Sequence, residues 1–161
     1  MSIEIERKFL IKGDFSSQVI KKEKIVQAYL MASPERTVRI RIIGDQAFLT
    51  IKGSTNANGF SHLEFEYPVP LEDAQKILEL AQTGRIEKER NYVPFGNHLF
   101  EVDVFHGVHE GLILAELELS SEDEIFEKPD WIGEEVTGDE RYYNAWLATV
   151  LRGEALHQGS K

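Results

Sequence analysis

Like-charged residues recur along this chain in pairs with a single residue between them: Glu4/Glu6, Arg39/Arg41, Glu64/Glu66, Lys88/Arg90, Glu101/Asp103 and Glu116/Glu118, with Lys8 and Lys52 as a looser addition. In an extended strand, residues i and i+2 point to the same face about 6.5 Å apart. At an effective dielectric near 20, two like charges at that distance repel by roughly 2 to 3 kcal/mol before salt screening. One such pair is explained by a solvated strand face. Six pairs are not, because the intervening and flanking residues are strongly apolar: Val38, Ile40 and Ile42; Leu49 and Ile51; Leu63 and Phe65; Val102 and Val104; Leu114, Leu117 and Leu119. Each strand therefore has one apolar face and one face whose charges need compensation.

The period of two extends over most of the sequence. Residues 2 to 11, SIEIERKFLI, set Ile3, Ile5 and Phe9 against Glu4, Glu6 and Lys8, with Arg7 breaking the apolar side. Further strands are expected at about 24 to 31, 36 to 43, 46 to 53, 61 to 68, 85 to 93, 98 to 105 and 112 to 120. Turn residues separate them: Ser33-Pro34, Gly44-Asp45, Gly53 to Gly59, Gly96-Asn97 and Gly107 to Gly111. Two segments change to a helical period. Leu71, Ala74, Ile77, Leu78 and Ala81 share one helix face, with Pro70 suited to the first turn. A second helix is expected from about Glu140 to Leu151, capped by Thr137 or Asp139 and stopped at Gly153.

Two helices cannot cover an open sheet of about eight strands. A closed or nearly closed barrel solves the problem, with charges inward, apolar faces outward, and helices or a second subunit over part of the outside. The fold class expected is α+β, mostly antiparallel β: an eight-stranded tunnel barrel with a few flanking helices. Inside it, carboxylate pairs need cations and basic pairs need anions. A hard divalent metal with an oligophosphate supplies both, since Mg²⁺ prefers a few carboxylates plus phosphate oxygens and water, and arginine binds phosphate bidentately.

Composition narrows the alternatives. At 161 residues, 42% hydrophobic and 29% charged, the chain suits one globular domain over residues 1–152, with a tail at 153–161 that lacks an apolar face and is expected to fray. Without cysteine there are no disulfides, thiolate nucleophiles or thiolate-bound zinc. The five histidines show no zinc-protease spacing and are expected on the surface or in loops. No apolar run would span a bilayer and no signal peptide opens the chain, so a cytoplasmic location and no membrane partner are expected. A net charge of -10 argues against a nucleic-acid partner. The apolar outside of the barrel leaves a face for a homodimer.

In motif order the chain resembles the CYTH family, the triphosphate tunnel metalloenzymes. The N-terminal Glu-x-Glu-x-Lys motif appears as Glu4-Ile5-Glu6-Arg7-Lys8. It is followed by Arg39-Ile40-Arg41, Thr50-Ile51-Lys52, Glu64-Phe65-Glu66, Lys88-Glu89-Arg90, Phe100 to Phe105, Glu116-Leu117-Glu118 and Glu135 to Tyr142. The resemblance runs from residue 1 to about 151. It implies a tunnel that binds triphosphate end-on and acts on it with Mg²⁺ or Mn²⁺. Carried over by position, Glu4, Glu6, Glu116 and Glu118 would hold metal, with Asp103 a further ligand. Lys8, Arg39, Arg41, Lys52, Lys88, Arg90 and Arg141 would bind phosphates, Lys8 also serving catalysis. Glu64 and Tyr29 are the candidates for general base, Tyr29 because basic neighbours favour a phenolate. Arg141 has an alternative as partner of Glu135.

The leading function is hydrolysis of inorganic tripolyphosphate to pyrophosphate and orthophosphate, since little sequence is left over to recognise an organic group. Trp131 or Trp146 would have to provide an aromatic platform for a nucleoside or thiamine triphosphate, and each has packing as its competing role. An adenylate cyclase of the same family is the enzymatic alternative. A module that binds polyphosphate or nucleotide without turnover is the non-enzymatic one, disfavoured because carboxylate pairs do nothing for a pure anion binder.

Overall fold

The computed structural model describes residues 2–33, 35–53, 61–81 and 83–149. Its elements, in chain order, are β1 (Ser2–Ile11), β2 (Lys21–Ala32), β3 (Thr37–Ile43), β4 (Gln46–Lys52), β5 (Ser61–Val69), α1 (Leu71–Glu79), β6 (Ile86–Phe95), β7 (His98–His106), β8 (Ile113–Glu118), β9 (Ile132–Glu135) and α2 (Asn144–Thr149), with short 3-10 turns between some of them. The strands hydrogen-bond in the order β5-β4-β3-β2-β6-β7-β8-β1-β9, and β5 also pairs with β1. Eight antiparallel strands therefore close into a barrel, as the shortage of helices required. Two of the tight turns use glycine at positive φ, Gly44 at 60° and Gly96 at 61°, a region that side chains with a Cβ rarely adopt.

The ninth strand is a departure from the eight expected. One edge of β1 meets β8; along the other, Ser2 to Ile5 pair with β5, while Phe9 and Ile11 pair with β9. The four residues of β9 are too short to show an alternation, and Gly133 hides them further. That glycine is needed, because a Cβ there would lie 2.9 Å from the Leu10 carbonyl oxygen.

The expected closing helix is also divided. A 3-10 turn at Glu140–Tyr142, capped by Asp139 accepting from Arg141 N, leads to an extended Tyr143 (φ -72°, ψ 136°), and α2 begins at Asn144. Val150, Leu151, Gly153 and the tail at 153–161 lie outside the described residues, as do Pro34 and the expected turn after Gly53.

Among the described residues, two apolar clusters lie outside the barrel and a third fills one end of it. On one outer wall α1 covers Ala28, Ile40 and Ala47 with Ala74 and Leu78. On another, Phe9, Val93, Phe100, Val102, Ala115 and Leu117 are covered by Trp131 and Ile132, with Phe15, Val19 and Phe126 packed alongside. The third lies within the barrel. At one end the inward positions of β1, β6, β7 and β8 become apolar, as Leu10, Ile86, Phe105 and Leu114, and these pack with Leu147 and Ala148 of α2. Leu114 is thus inward, on the same face as Glu116, and not on the outer face with Leu117 and Leu119. Among the described residues no helix is long and apolar enough to cross a membrane.

Candidate active site

The alternation of each strand delivers its charges to one cavity of about 930 Å³. From β1 come Glu4, Glu6 and Lys8; from β3, Arg39 and Arg41; from β4, Lys52; from β5, Glu64 and Glu66; from β6, Arg90; from β7, Glu101; and from β8, Glu116 and Glu118, with Tyr29 of β2 also on the wall. The register sets Glu6 opposite Glu118 and Lys8 opposite Glu116 across β1 and β8, and Glu101 opposite Glu116 across β7 and β8.

Part of this charge is compensated within the protein. Lys52 Nζ lies 2.6 Å from Glu4, and Lys8 Nζ 3.3 Å from Glu116 and 3.1 Å from the Tyr142 carbonyl. Arg90 forks onto Asp103 at 2.8 and 2.9 Å and reaches Glu101 at 3.2 Å and Glu116 at 3.4 Å. On the opposite wall, Arg39 donates to Thr50 Oγ1 at 3.3 Å, and Thr50 donates to Glu66 at 2.9 Å. Arg39 Nε is buried without a hydrogen-bond partner among the described residues, a donor left for an anion.

The electrostatics separate the carboxylates into two kinds. Burial pushes Glu116 up, but Lys8 and Arg90 outweigh it and hold the carboxyl far below the usual range; Lys52 does the same for Glu4 against burial. Glu6 has no ion pair or hydrogen bond among the described residues. Burial and the neighbouring Glu116 and Glu4 raise it to about 8. Glu118, directly across from Glu6, is also raised, by burial and by Glu4. Two like carboxyl groups in register on adjacent strands repel, and a cation between them would remove the conflict.

The donor set suits a hard divalent ion, being oxygen throughout with no cysteine. Among the described residues no three acidic or histidine side chains stand close enough to enclose an ion alone. A hard cation held here would complete its shell with water and phosphate oxygens. Glu4, Glu6, Glu116 and Glu118 are the residues that would hold it.

Three expected site residues fall outside the cavity wall. Asp103 is almost fully buried, and its oxygens are taken by Arg90 and by Lys88 Nζ at 2.7 Å. In this structure it is the counter-ion of two cations, which hold it low against burial. Lys88 lies behind the wall against Asp103, Asn144 and the Phe105 ring, and burial brings it down to about 7. Arg141 is exposed and forks onto Asp139 at 2.7 and 3.1 Å, away from the cavity. Its alternative partner, Glu135, is taken by Arg7.

Other residues were missed or misread. Gln27 and Thr50 lie inside the barrel at two-residue spacing from Tyr29 and Lys52, a signal the sequence did contain. Asn144 could not be read because it depends on the break at Tyr143. Of the histidines expected at the surface or in loops, His109 does lie in the turn between β7 and β8 but is buried there, its Nε2 2.7 Å from the Leu147 carbonyl oxygen, whereas His62 lies on β5 and lines the cavity. Trp131 is buried in the outer cluster, whereas Trp146 lies on the cavity rim.

Known proteins share this architecture and sequence. The chain is 44% identical over 148 residues to an inorganic triphosphatase of Acetivibrio thermocellus, covering 91% of this chain and 94% of that protein. It is 37% identical over 153 residues to an inorganic triphosphatase of Nitrosomonas europaea, covering 92% and 98%. A crystal structure of an inorganic triphosphatase superposes with a TM-score of 0.65 at 33% identity, over 95% of this chain and 99% of the other. The model of the CYTH domain matches residues 2–143, nearly the whole of the barrel and its site, and the chain belongs to the CYTH family.

Proposed function

We propose that this enzyme hydrolyses inorganic tripolyphosphate to pyrophosphate and orthophosphate with Mg²⁺ or Mn²⁺. Triphosphate hydrolysis follows from its place among the inorganic triphosphatases it resembles. The observation that carries the choice of substrate is the cavity itself, whose wall is charged on nearly every strand and whose described lining has more charged side chains than aromatic ones, the latter being Tyr29, His62, Tyr143 and Trp146.

Phosphoryl transfer requires mainly positioning and neutralisation of charge. Lys8, Arg39, Arg41, Lys52 and Arg90 would bind phosphate oxygens. Lys8 and Lys52 are engaged with Glu116 and Glu4 in the metal-free protein. Glu4, Glu6, Glu116 and Glu118 would hold the metal, whose positive charge would offset that of the phosphate oxygens. A water attacks the terminal phosphorus, the bridging P–O bond breaks, and pyrophosphate leaves. Two side chains on the wall can take the water's proton. Glu64 is raised, first by burial and then by Glu4, which suits a carboxylate to that work. Tyr29 lies beside Arg39, in register with it on the neighbouring strand β3.

The test is product analysis on tripolyphosphate, ATP and thiamine triphosphate with each metal. Pyrophosphate and orthophosphate from tripolyphosphate at the highest kcat/KM support the proposal, and cyclic AMP from ATP would overturn it. Comparing Glu64→Gln with Tyr29→Phe identifies the base as the variant with the larger loss of kcat. We further place the chain in the cytoplasm, off nucleic acid in keeping with its -10 charge. Its second copy would dock on the exposed Ile3, Leu63 and Tyr67 of β1 and β5, and sedimentation measures that directly.

A further inference from the structure

Gln27 and Asn144 are neutral residues inserted among the cations, and the orientation of both amides follows from the donors around them. The Arg41 guanidinium can only donate, so the Gln27 atom 2.7 Å from Arg41 Nε is the carbonyl Oε1. The amide Nε2 of Gln27 is then the end that faces Asn144, at 3.1 Å. Nε2 can only donate, so the Asn144 atom it faces must be Oδ1, because the reverse orientation would set an NH₂ group against an NH₂. Lys88 Nζ lies 2.9 Å from the same Oδ1 and donates to it as well.

With Oδ1 held by two donors, Asn144 Nδ2 is turned away from them. It has no hydrogen-bond partner among the described residues, and Asn144 lines the same cavity as Arg41 and Lys8. The clamp is firm: Gln27 and Lys88 are almost completely buried, and Lys88 is fixed from its other side by Asp103.

We propose that Asn144 Nδ2 donates a hydrogen bond to a phosphate oxygen of the bound triphosphate, with Gln27 and Lys88 as the positioning residues that fix its direction. The assignment rests on the triphosphate reading above. A neutral donor suits this corner of the tunnel. Burial together with Arg39 and Arg90 already brings Arg41 down to about 9, so a further cation would cost part of its own charge. An amide supplies N–H without adding to that repulsion.

The test compares Asn144→Asp and Asn144→Ala with the wild type in steady-state kinetics on tripolyphosphate and in calorimetric titration of tripolyphosphate with metal chelated. The aspartate keeps the acceptor for Lys88 and Gln27 but lacks the donor; the alanine lacks both and introduces no charge. A hydrogen bond to a charged group corresponds to roughly a 10- to 100-fold loss of affinity, expected in both variants, with the Tm of the aspartate variant near the wild-type value. Wild-type affinity in either variant would overturn the proposal; retention in the aspartate variant alone would reduce Asn144 to an acceptor for Lys88. A wild type that binds tripolyphosphate without hydrolysing it sinks the proposed function, and the titration still decides Asn144. A wild type that does not bind it overturns both.

Discussion

Replacing Glu6 by glutamine should stabilise the metal-free protein while removing its response to metal. In the folded chain this carboxyl is raised from 4.5 to about 8, by burial first and then by Glu116 and Glu4. A folded-state value above the unfolded one means that the folded protein holds the proton more tightly. Stability is therefore lost as pH rises from about 4.5 through about 8. The full shift corresponds to on the order of 5 kcal/mol at 1.36 kcal/mol per pH unit, and solvent screening in an open tunnel reduces the expected cost to about 2 to 3 kcal/mol. Glutamine resembles the protonated acid and escapes this loss. In thermal unfolding with chelator present, the two proteins should match near pH 5 and separate by roughly 4 to 12 °C at pH 8.5, the variant being the more stable. Saturating Mg²⁺ should reverse the order, because only the wild type gains from binding. A gap that does not widen with pH, or a variant less stable at pH 8.5, would refute the reasoning that Glu6 is uncompensated.

Asp103→Asn should lower the Tm in chelator by roughly 6 to 20 °C, because it takes the carboxylate from buried Lys88 and leaves Arg90 only its longer contacts to Glu101 and Glu116, at about 3 to 5 kcal/mol; an unchanged Tm in chelator would show that the two cations do not depend on Asp103. Gly133→Ala should cost about 1 to 3 kcal/mol in denaturant unfolding, since its Cβ would meet the Leu10 carbonyl and push β9 off β1. Arg141→Ala should change kcat/KM on tripolyphosphate less than twofold, given its exposed pairing with Asp139; a tenfold fall would show that it reaches the substrate.

The charged face of the barrel was legible because a period of two fixes side once a segment is a strand, and closure followed from the lack of helices to cover so many strands. The sequence could not say how the charges divide among themselves. Lys88, Arg90 and Asp103 occupy inward positions like any others, but only the stagger of β6 and β7 shows that Asp103 is enclosed by both cations. Leu114 read as outward because its apolar neighbours in sequence are outward, whereas its parity with Glu116 already placed it inside. Gly133 hid β9 because the close approach that requires glycine comes from β1, more than a hundred residues away. Arg141 was placed by motif order alone, and nothing local distinguishes a guanidinium turned to a tunnel from one turned to Asp139.

The interior charges also determine where the stability of this fold must reside. Buried ion pairs at best offset their desolvation, and Glu6 with Glu118 opposes folding outright. The favourable term must therefore come from the apolar clusters beneath α1, beneath the Phe126–Trp131 segment and in the plug under α2. A small barrel ordinarily fills its inside with apolar side chains; here that filling is confined to one end, leaving the rest for a polyanion and its metal. This arrangement turns Lys8, Arg39, Arg41, Lys52 and Arg90 inward, but it also turns more carboxylates inward than cations, so this acidic protein can take up a polyanion only together with cations that offset those carboxylates. It also separates the two ways of damaging the protein. Neutralising a tunnel carboxylate that has no cation partner should remove activity and leave the fold as stable or more so, whereas truncating Leu114 or Phe105 should unfold it before altering the chemistry.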